Sequence, residues 1–547
     1  MAAAKLRFCA RTLEQDVGFG AHFASHRPRL TGGLHSARWP SDLQCHEVNT
    51  RGEVLHLASL GFDSTRQVVK SSWDVQDGGR RAPRRGRGDN NLHARAGPSP
   101  WAATMYVNVH GGRASGTATS SKLLATELGV SPNALRAPSE LKIPGISVGT
   151  VHLPRGLARG FEHSPLSYAM HSGVIRSGSA VVAIGSTHSQ PSFAEPQGPG
   201  SSSRRSPPQK DWQCDGHRYT MILRGLDATQ CNEGLVDDAM DGLRENGFVN
   251  YFELATFGFA EVRRYEVGAA LWQGQWHQAA RLILTANVES RGALGAATAA
   301  FRKGDLAGGI ELLPEDGAEG LRSLAYSLLR RRPALEALHD AVPVFMWARY
   351  LGAVAKLMWN HAATTRLSSR PHRAMEGDLV LEDGRARPLT VEEARERPFS
   401  DVVLPLPRWG HELPECTSRL HMSSLMRRLL PEANLPVEED FPRGIHGWLP
   451  EARHLTVVPS DLSWDVVEAS DAAEAALVEC DLARLGVNGI QLARTHGRRS
   501  QSRLRGPALR FRVTLPRGAS PEAVLREVLH MNPSEFELGL GRRDEIF

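Results

Sequence analysis

The feature that most constrains this chain is a change of hydrophobic periodicity near its middle. Between residues 262 and 366 apolar side chains recur at helical spacing, as Leu321 and Leu324 illustrate. Such stripes are typical of helix faces that pack into a core. Strand-like segments flank this block on both sides. The pattern predicts an α+β fold in which a helical unit is inserted into a sheet domain.

The flanking strands are predicted from short runs of strong strand formers. These runs are Thr150–Leu153 and Ser179–Gly185 before the helical block, Tyr219–Arg224 directly upstream of it, and Leu509–Leu515 near the C-terminus. Ser520 then has the character of a helix N-cap, because a proline and an apolar helical stripe follow it. We expect Tyr219–Arg224 and Leu509–Leu515 to share one sheet, since the insertion model returns the chain to its first domain.

Composition excludes several classes of protein. The chain has 547 residues and is 41% hydrophobic, which is enough for more than one folded domain. Its six cysteines form no CxxC pair, so no disulfide framework is predicted and a reducing, intracellular compartment is expected, with nucleus, cytoplasm or an organelle left open. No apolar run approaches the roughly 20 residues of a membrane span. The 22 histidines form no convincing ligand motif, so no metal is predicted.

The net charge is only +5, but arginines are clustered. Arginine clusters attract phosphates without reading base sequence, or they are solvated linkers, and the sequence leaves both interpretations open. Residues 78–99 and 189–210 are rich in Gly, Pro, Ser or Arg and are expected to be disordered insertions. The candidate RNA-binding arginines are Arg80, Arg81, Arg84, Arg85, Arg87, Arg453, Arg498 and Arg499.

An ordered set of short motifs runs through the chain. They are Ser41-Asp-Leu-Gln-Cys-His-Glu-Val, Gly216-His-Arg-Tyr-Thr-Met-Ile-Leu-Arg, Gly247-Phe-Val-Asn-Tyr-Phe, Met358-Trp-Asn, Gly377-Asp-Leu-Val-Leu, Asp401-Val-Val-Leu-Pro-Leu-Pro and Pro459-Ser-Asp-Leu-Ser-Trp. In this order they resemble the TruD-type pseudouridine synthase family, and the later motifs resemble its eukaryotic branch. The resemblance extends over roughly residues 14–540.

The resemblance implies an architecture. We expect a pseudouridine-synthase-type mixed or antiparallel sheet domain with an inserted, mainly helical TRUD domain. In this sequence an extension would occupy residues 1–13, the first part of the sheet domain 14–260, the inserted unit 261–454, and the returning part of the sheet domain 455–547.

The resemblance also implies a reaction and a pocket. The family isomerises uridine to pseudouridine in RNA, which needs no cofactor or metal, and we expect a monomer that acts on RNA, with tRNA as the first candidate. Asn250 and Phe252 match the family positions that hold the catalytic carboxylate and contact the uracil. Without the resemblance, Asn250 has the character of a turn residue and Phe252 that of a core ring.

One departure concerns the nucleophile. In the best register Lys142 stands where the family has its aspartate, and Glu140 is the nearest carboxylate. A lysine supplies no carboxylate oxygen, so it cannot act as the nucleophile of this reaction. Two hypotheses follow. The first is an active pseudouridine synthase, which requires an aspartate elsewhere in this loop or an error in the gene model around residues 134–147. The second is an inactive RNA-binding member of the family, which Lys142 favours for the chain as written. The sequence does not indicate which RNA is bound.

Overall fold

The structure is a computed structural model, and it describes the greater part of the chain outside the two predicted insertions. The described residues are 17–20, 30, 33–34, 40–56, 68–70, 104–113, 145–154, 174–177, 180–189, 214–226, 233–258, 262–286, 292–315, 318–369, 372–408, 411–430, 440–442, 450–468, 477–484 and 506–529.

Ten of the described strands form one mixed sheet. In chain order they are β1 (Gly33–Leu34), β2 (Leu43–Asn49), β3 (Val68–Lys70), β4 (Thr104–Arg113), β5 (Ile146–Pro154), β6 (Val174–Ser177), β7 (Ala180–Ser189), β8 (Cys214–Arg224), β15 (Ser460–Val467) and β16 (Ala508–Pro516). The order across the sheet is β15-β16-β8-β2-β5-β4-β7-β6-β3, and β1 also pairs with β8. Only β2–β5 and β3–β6 are parallel among these pairs. The predicted α+β class with a mixed sheet is confirmed.

The strand pair expected from the sequence is present at the centre of this sheet. β8 and β16 are antiparallel, with Phe511 opposite Met221 and Leu515 opposite His217. Gly216 permits this pairing, because a Cβ there would lie 2.5 Å from the carbonyl oxygen of Leu515. The strand prediction was correct because both segments combine strong strand formers with an apolar face.

Two helices cover one face of the sheet. They are α1 (Glu233–Asn246) and α12 (Pro521–Leu529). Their apolar side chains pack against the strand residues Cys45, Met221, Phe511 and Val513, all of which are almost fully buried. The predicted cap of α12 is confirmed, since the Ser520 hydroxyl accepts a hydrogen bond from the Glu522 amide.

The helical unit lies between β8 and β15 in the sequence. It contains α2 (Arg264–Trp272), α3 (Trp276–Thr285), α4 (Ala293–Arg302), α5 (Leu306–Leu312), α6 (Glu319–Leu329), α7 (Ala334–Ala341) and the 26-residue α8 (Val344–Ser369). Gly268 allows α2 to approach α8, because a Cβ there would lie 2.1 Å from the carbonyl oxygen of Tyr350. The helical periodicity between residues 262 and 366 therefore predicted the correct elements.

This unit also contains a small sheet that the periodicity did not predict. Its strands are β10 (Leu379–Glu382), β11 (Arg385–Pro388), β12 (Val402–Pro405) and β13 (Ala452–His454), in the order β11-β10-β12-β13. Two short helices, α9 (Val391–Glu396) and α10 (Arg419–Leu429), accompany it. Strands of three or four residues are too short for alternation to distinguish them from loops.

A two-stranded sheet joins the helical unit to the sheet domain. β9 (Phe248–Val249) pairs with β14 (Thr456–Val457). Gly247 makes the approach possible, since its φ is +72° and a Cβ would lie 2.1 Å from the Val457 carbonyl oxygen. The residues that directly follow β9 and precede β14 therefore meet at the junction.

No helix within the described ranges is both long and apolar enough to cross a membrane.

Two further contacts fix this junction. Phe19 stacks on Tyr251 with ring centroids 4.8 Å apart, and the Gly20 carbonyl accepts a hydrogen bond from Arg526 on α12.

In the sheet domain, Arg224 on β8 makes a bidentate ion pair with Asp42, and both side chains are fully buried. Burial raises the pKa of Asp42 to about 6 even though Arg224 acts in the opposite direction.

Candidate active site

Asn250, directly after β9, is held in place by hydrogen bonds from its backbone and from its side chain. It is only 4% exposed. Its backbone amide donates to the Leu455 carbonyl at 3.0 Å, and its side-chain amide donates to the His454 carbonyl at 3.2 Å. A buried asparagine with every group engaged is a rigid polar anchor.

Arg453 on β13 clamps Asn250. Its Nε donates to the Asn250 backbone carbonyl at 2.8 Å, and Nη2 donates to the side-chain oxygen at 2.6 Å. Its Nη1 donates to the Gly518 carbonyl at 2.7 Å, just before α12. Burial lowers the pKa of this guanidinium, but arginine remains protonated in proteins. One charged group therefore ties the loop after β9, β13 and the C-terminal part of the sheet domain together.

Phe252, two residues further on, is positioned through its backbone by α8. The Asn360 side chain accepts from the Phe252 amide at 2.9 Å and donates to its carbonyl at 3.2 Å. The neighbouring Trp359 meets the Phe252 ring edge-on at 5.5 Å and donates to the Leu404 carbonyl. Asn360 is fully buried, so this paired contact holds the aromatic ring at the junction.

Cations surround the Phe252 ring. The Arg453 guanidinium lies 4.0 Å from the ring centroid, and the Lys356 ammonium lies 5.3 Å from it. Burial, followed by the charges of Arg453, Arg349 and Arg264, lowers the pKa of Lys356 to about 8. These cations place positive charge beside the ring, where it would attract a phosphate.

The C-terminal helix also reaches this region. The Ser520 hydroxyl donates to the Glu253 carboxylate at 3.0 Å while it caps α12. Arg526 lies over both Phe19 and Tyr251, with its guanidinium carbon 5.3 and 5.4 Å from their ring centroids. The site is therefore assembled from segments that are distant in the sequence.

Three of the residues singled out in the sequence lie together: Asn250, Phe252 and Arg453. Arg453 was predicted as an RNA-binding residue, and the structure places it against both of the others, where three of its five N–H groups are engaged. The remaining residues singled out lie outside the described residues; they are Glu140, Lys142, Arg80, Arg81, Arg84, Arg85, Arg87, Arg498 and Arg499. The described chain resumes at Gly145 and enters β5, next to β2.

Sequence reasoning missed the roles of Asn360 and Lys356. The Trp-Asn pair of Met358-Trp-Asn carried the signal for Asn360, because a polar residue on a buried helix face requires a partner. Lys356 carried no signal, since a single lysine in an apolar helix is usually a residue that extends to solvent.

Comparison with known proteins bears on this architecture. A family model described as tRNA pseudouridine synthase D (TruD) matches residues 212–403, which include the loop after β9, α8 and the start of β12. A solved structure of a candidate tRNA pseudouridine synthase D from Methanosarcina mazei has a TM-score of 0.53 and covers 95% of this chain and 98% of its own, at 15% identity. The fold is thus that of a pseudouridine synthase of the TruD type.

Two relatives of similar sequence are also named as pseudouridine synthases. A "Pseudouridylate synthase 7 homolog" from Bos taurus is 26% identical over 341 residues, covering 61% of this chain and 49% of its own length. A "Multisubstrate pseudouridine synthase 7" from Schizosaccharomyces pombe is 25% identical, covering 57% of this chain and 48% of its own. The central part of the chain is therefore similar to the TruD pseudouridine synthase family. The chain spans about half the length of these relatives.

Proposed function

We propose that this chain is a pseudouridine synthase that converts uridine to pseudouridine in RNA. The observation that carries the proposal is the Asn250–Arg453–Phe252 arrangement, in a fold of this family. The relatives that match are named as synthases, so they lend no support to the alternative of an inactive RNA-binding member.

The reaction explains why such an arrangement is needed. The bond between uracil N1 and the ribose C1′ breaks, the base turns, and C5 bonds to C1′ while the C5 proton leaves and N1 gains one. The base must first leave its stack and enter a pocket. In this proposal Phe252 contacts the turning uracil, and Asn250, held by Arg453, orients the carboxylate that acts at the sugar. No redox step occurs, so the proposal calls for no cofactor.

The proposal requires a residue that supplies the carboxylate acting at the sugar. Lys142, at the family's aspartate position, cannot supply it, and Glu140 is the nearest acid in the sequence. We therefore propose that the group comes from the 134–147 segment, with Glu140 as the first residue to test.

The binding partner in this proposal is structured RNA, with tRNA as the first candidate, bound by a monomer. The positive charge beside Phe252 supports it, since Arg453 and Lys356 both lie against the ring. The arginine clusters would add affinity that falls as salt rises. The domain boundaries at residues 260 and 454 remain part of this proposal, supported by the β8–β16 pair and by the junction through β9 and β14.

Tritium release tests the activity directly. RNA transcribed with uridine tritiated at C5 loses tritium to water only when C5 bonds to the sugar. We expect the full chain to release tritium, Phe252→Ala to lose release, and Glu140→Ala to lose it by on the order of 10⁴-fold or more. Phe345→Ala, on α8 outside this site, is the matched control. No release from the wild-type chain, with release gained by Lys142→Asp, would refute the proposal and establish an inactive member.

A further inference from the structure

A cluster of three ligand-type side chains lies beside β2, and the proposed reaction does not use it. His46 Nε2 lies 3.3 Å from Asp481 Oδ1, and His56 Nδ1 lies 3.2 Å from the same oxygen. The two imidazole nitrogens and the carboxylate oxygen all lie within 4.8 Å of one another. His46 and Asp481 are buried, whereas the side chain of His56 is 42% exposed.

The fold brings these residues together from distant segments. His46 is in the middle of β2, and His56 follows the turn after it, where the Leu55 amide donates to the Glu47 carbonyl. Asp481 begins the short helix α11 (Asp481–Arg484), more than 400 residues later. A hydrogen bond from the Gln44 side chain to the Glu479 carbonyl holds this segment against β2. Because of this separation, no sequence motif could indicate the cluster.

The distances fit a tetrahedral ion. Zn²⁺ binds imidazole nitrogen and carboxylate oxygen at about 2.0–2.2 Å, which separates ligand atoms by about 3.3–3.5 Å. The two nitrogen–oxygen distances, 3.3 and 3.2 Å, already correspond to edges of such a tetrahedron. The edge between the two nitrogens has to reach the same length, and the exposed His56 ring has room to move.

The chemistry of the ligands selects the class of ion. Two imidazoles with one carboxylate suit divalent zinc and its neighbours in the first transition row, whereas Mg²⁺ and Ca²⁺ prefer oxygen ligands alone. The carboxylate of Asp481 supplies negative charge that offsets part of the charge of such an ion.

We propose that His46, His56 and Asp481 bind one divalent transition-metal ion, with Zn²⁺ as its representative, and that water completes its coordination on the exposed side. The ion joins the segment 477–484 to β2. This role is structural and is independent of the proposed isomerase activity.

Zinc titration of the full chain tests the proposal. After treatment with a chelator, the protein competes for Zn²⁺ against a chromogenic indicator. We expect one saturable site per chain, with affinity reduced at least about 10–100-fold in His56→Gln and in Asp481→Asn. His277→Gln, an exposed histidine on α3, is the matched control and should bind as the wild type does. Zinc should raise the melting temperature of the wild type and of His277→Gln only.

Two measurements separate this site from other sources of binding. Co²⁺ should give the visible bands of a tetrahedral nitrogen and oxygen site without the near-ultraviolet band of a thiolate ligand, which excludes the cysteines. Circular dichroism of metal-free His56→Gln should match the wild type, since that side chain is partly exposed. Absence of saturable binding, or equal zinc affinity in His56→Gln and His277→Gln, would overturn the proposal and leave a hydrogen-bonded cluster only.

Discussion

Replacing Arg453 by lysine separates the positive charge at the junction from the geometry of the clamp. The guanidinium satisfies two oxygens of Asn250, which is 4% exposed. A buried acceptor left without its donor costs about 1–3 kcal/mol, so losing both costs about 2–6 kcal/mol locally. Lysine keeps the charge, but a single ammonium on a flexible stem cannot reproduce the planar fork. Arg453→Lys should therefore behave almost as badly as Arg453→Met.

Hydrogen exchange of the Asn250 amide measures this loss at the residue concerned. That amide donates to the Leu455 carbonyl, so it exchanges only when the junction opens. A local loss of about 2 kcal/mol accelerates exchange roughly 30-fold. Tritium release from C5-labelled RNA should fall in parallel. Arg517→Lys, an exposed arginine nearby, is the matched control. If the Asn250 amide exchange rate and the tritium release of Arg453→Lys equal those of the wild type, the clamp is refuted. The positive charge of residue 453 would then explain its role.

Three further predictions concern neighbouring groups. Asn360→Leu removes both hydrogen bonds to the Phe252 backbone, so tritium release should fall on the order of 10²-fold while RNA affinity, measured by filter binding, changes little. RNA binding should weaken as the pH rises through about 8, because Lys356 then loses the charge that a phosphate would stabilise; binding curves of Lys356→Met should lack this step. Arg224→Met leaves Asp42 buried without its partner and should cost about 3–5 kcal/mol in denaturant unfolding of the sheet domain, and adding Asp42→Leu should recover most of it.

Local signals predicted the larger elements correctly. β8 and β16 are long runs of strand formers, and the helical block has a stripe sustained over many turns, so the period of each pattern is well defined. The strands β10 to β13 are only three or four residues long, and β12 and β13 pair with segments that are not adjacent in the sequence. The existence of β12 and β13 is a property of tertiary structure that local propensity does not contain. The β10–β11 hairpin, in contrast, has a local signal in its Asp383-Gly384 turn.

The candidate site was predictable only in part, for a similar reason. The family resemblance indicated Asn250 and Phe252, but from the residues alone each had an ordinary structural explanation. The clamp joins positions 203 residues apart, and nothing in the local sequence around Arg453 indicates its partner. The contacts of Phe252 with Asn360 and Lys356 depend on where α8 crosses the loop after β9. Such contacts arise from packing, which a single sequence does not encode locally.

The position of β16 between β15 and β8 has a consequence for synthesis of the protein. Roughly 280 residues separate the end of β8 from the start of β16, so on the order of 15–60 s of translation pass before this edge of β8 is paired. The helical unit, whose contacts are mostly local, can fold during that interval. Meanwhile the apolar face and open edge of β8 are exposed to other chains, which is a risk of aggregation. Nascent chains that stall between the helical unit and β16 should therefore depend on chaperones more than released chains do.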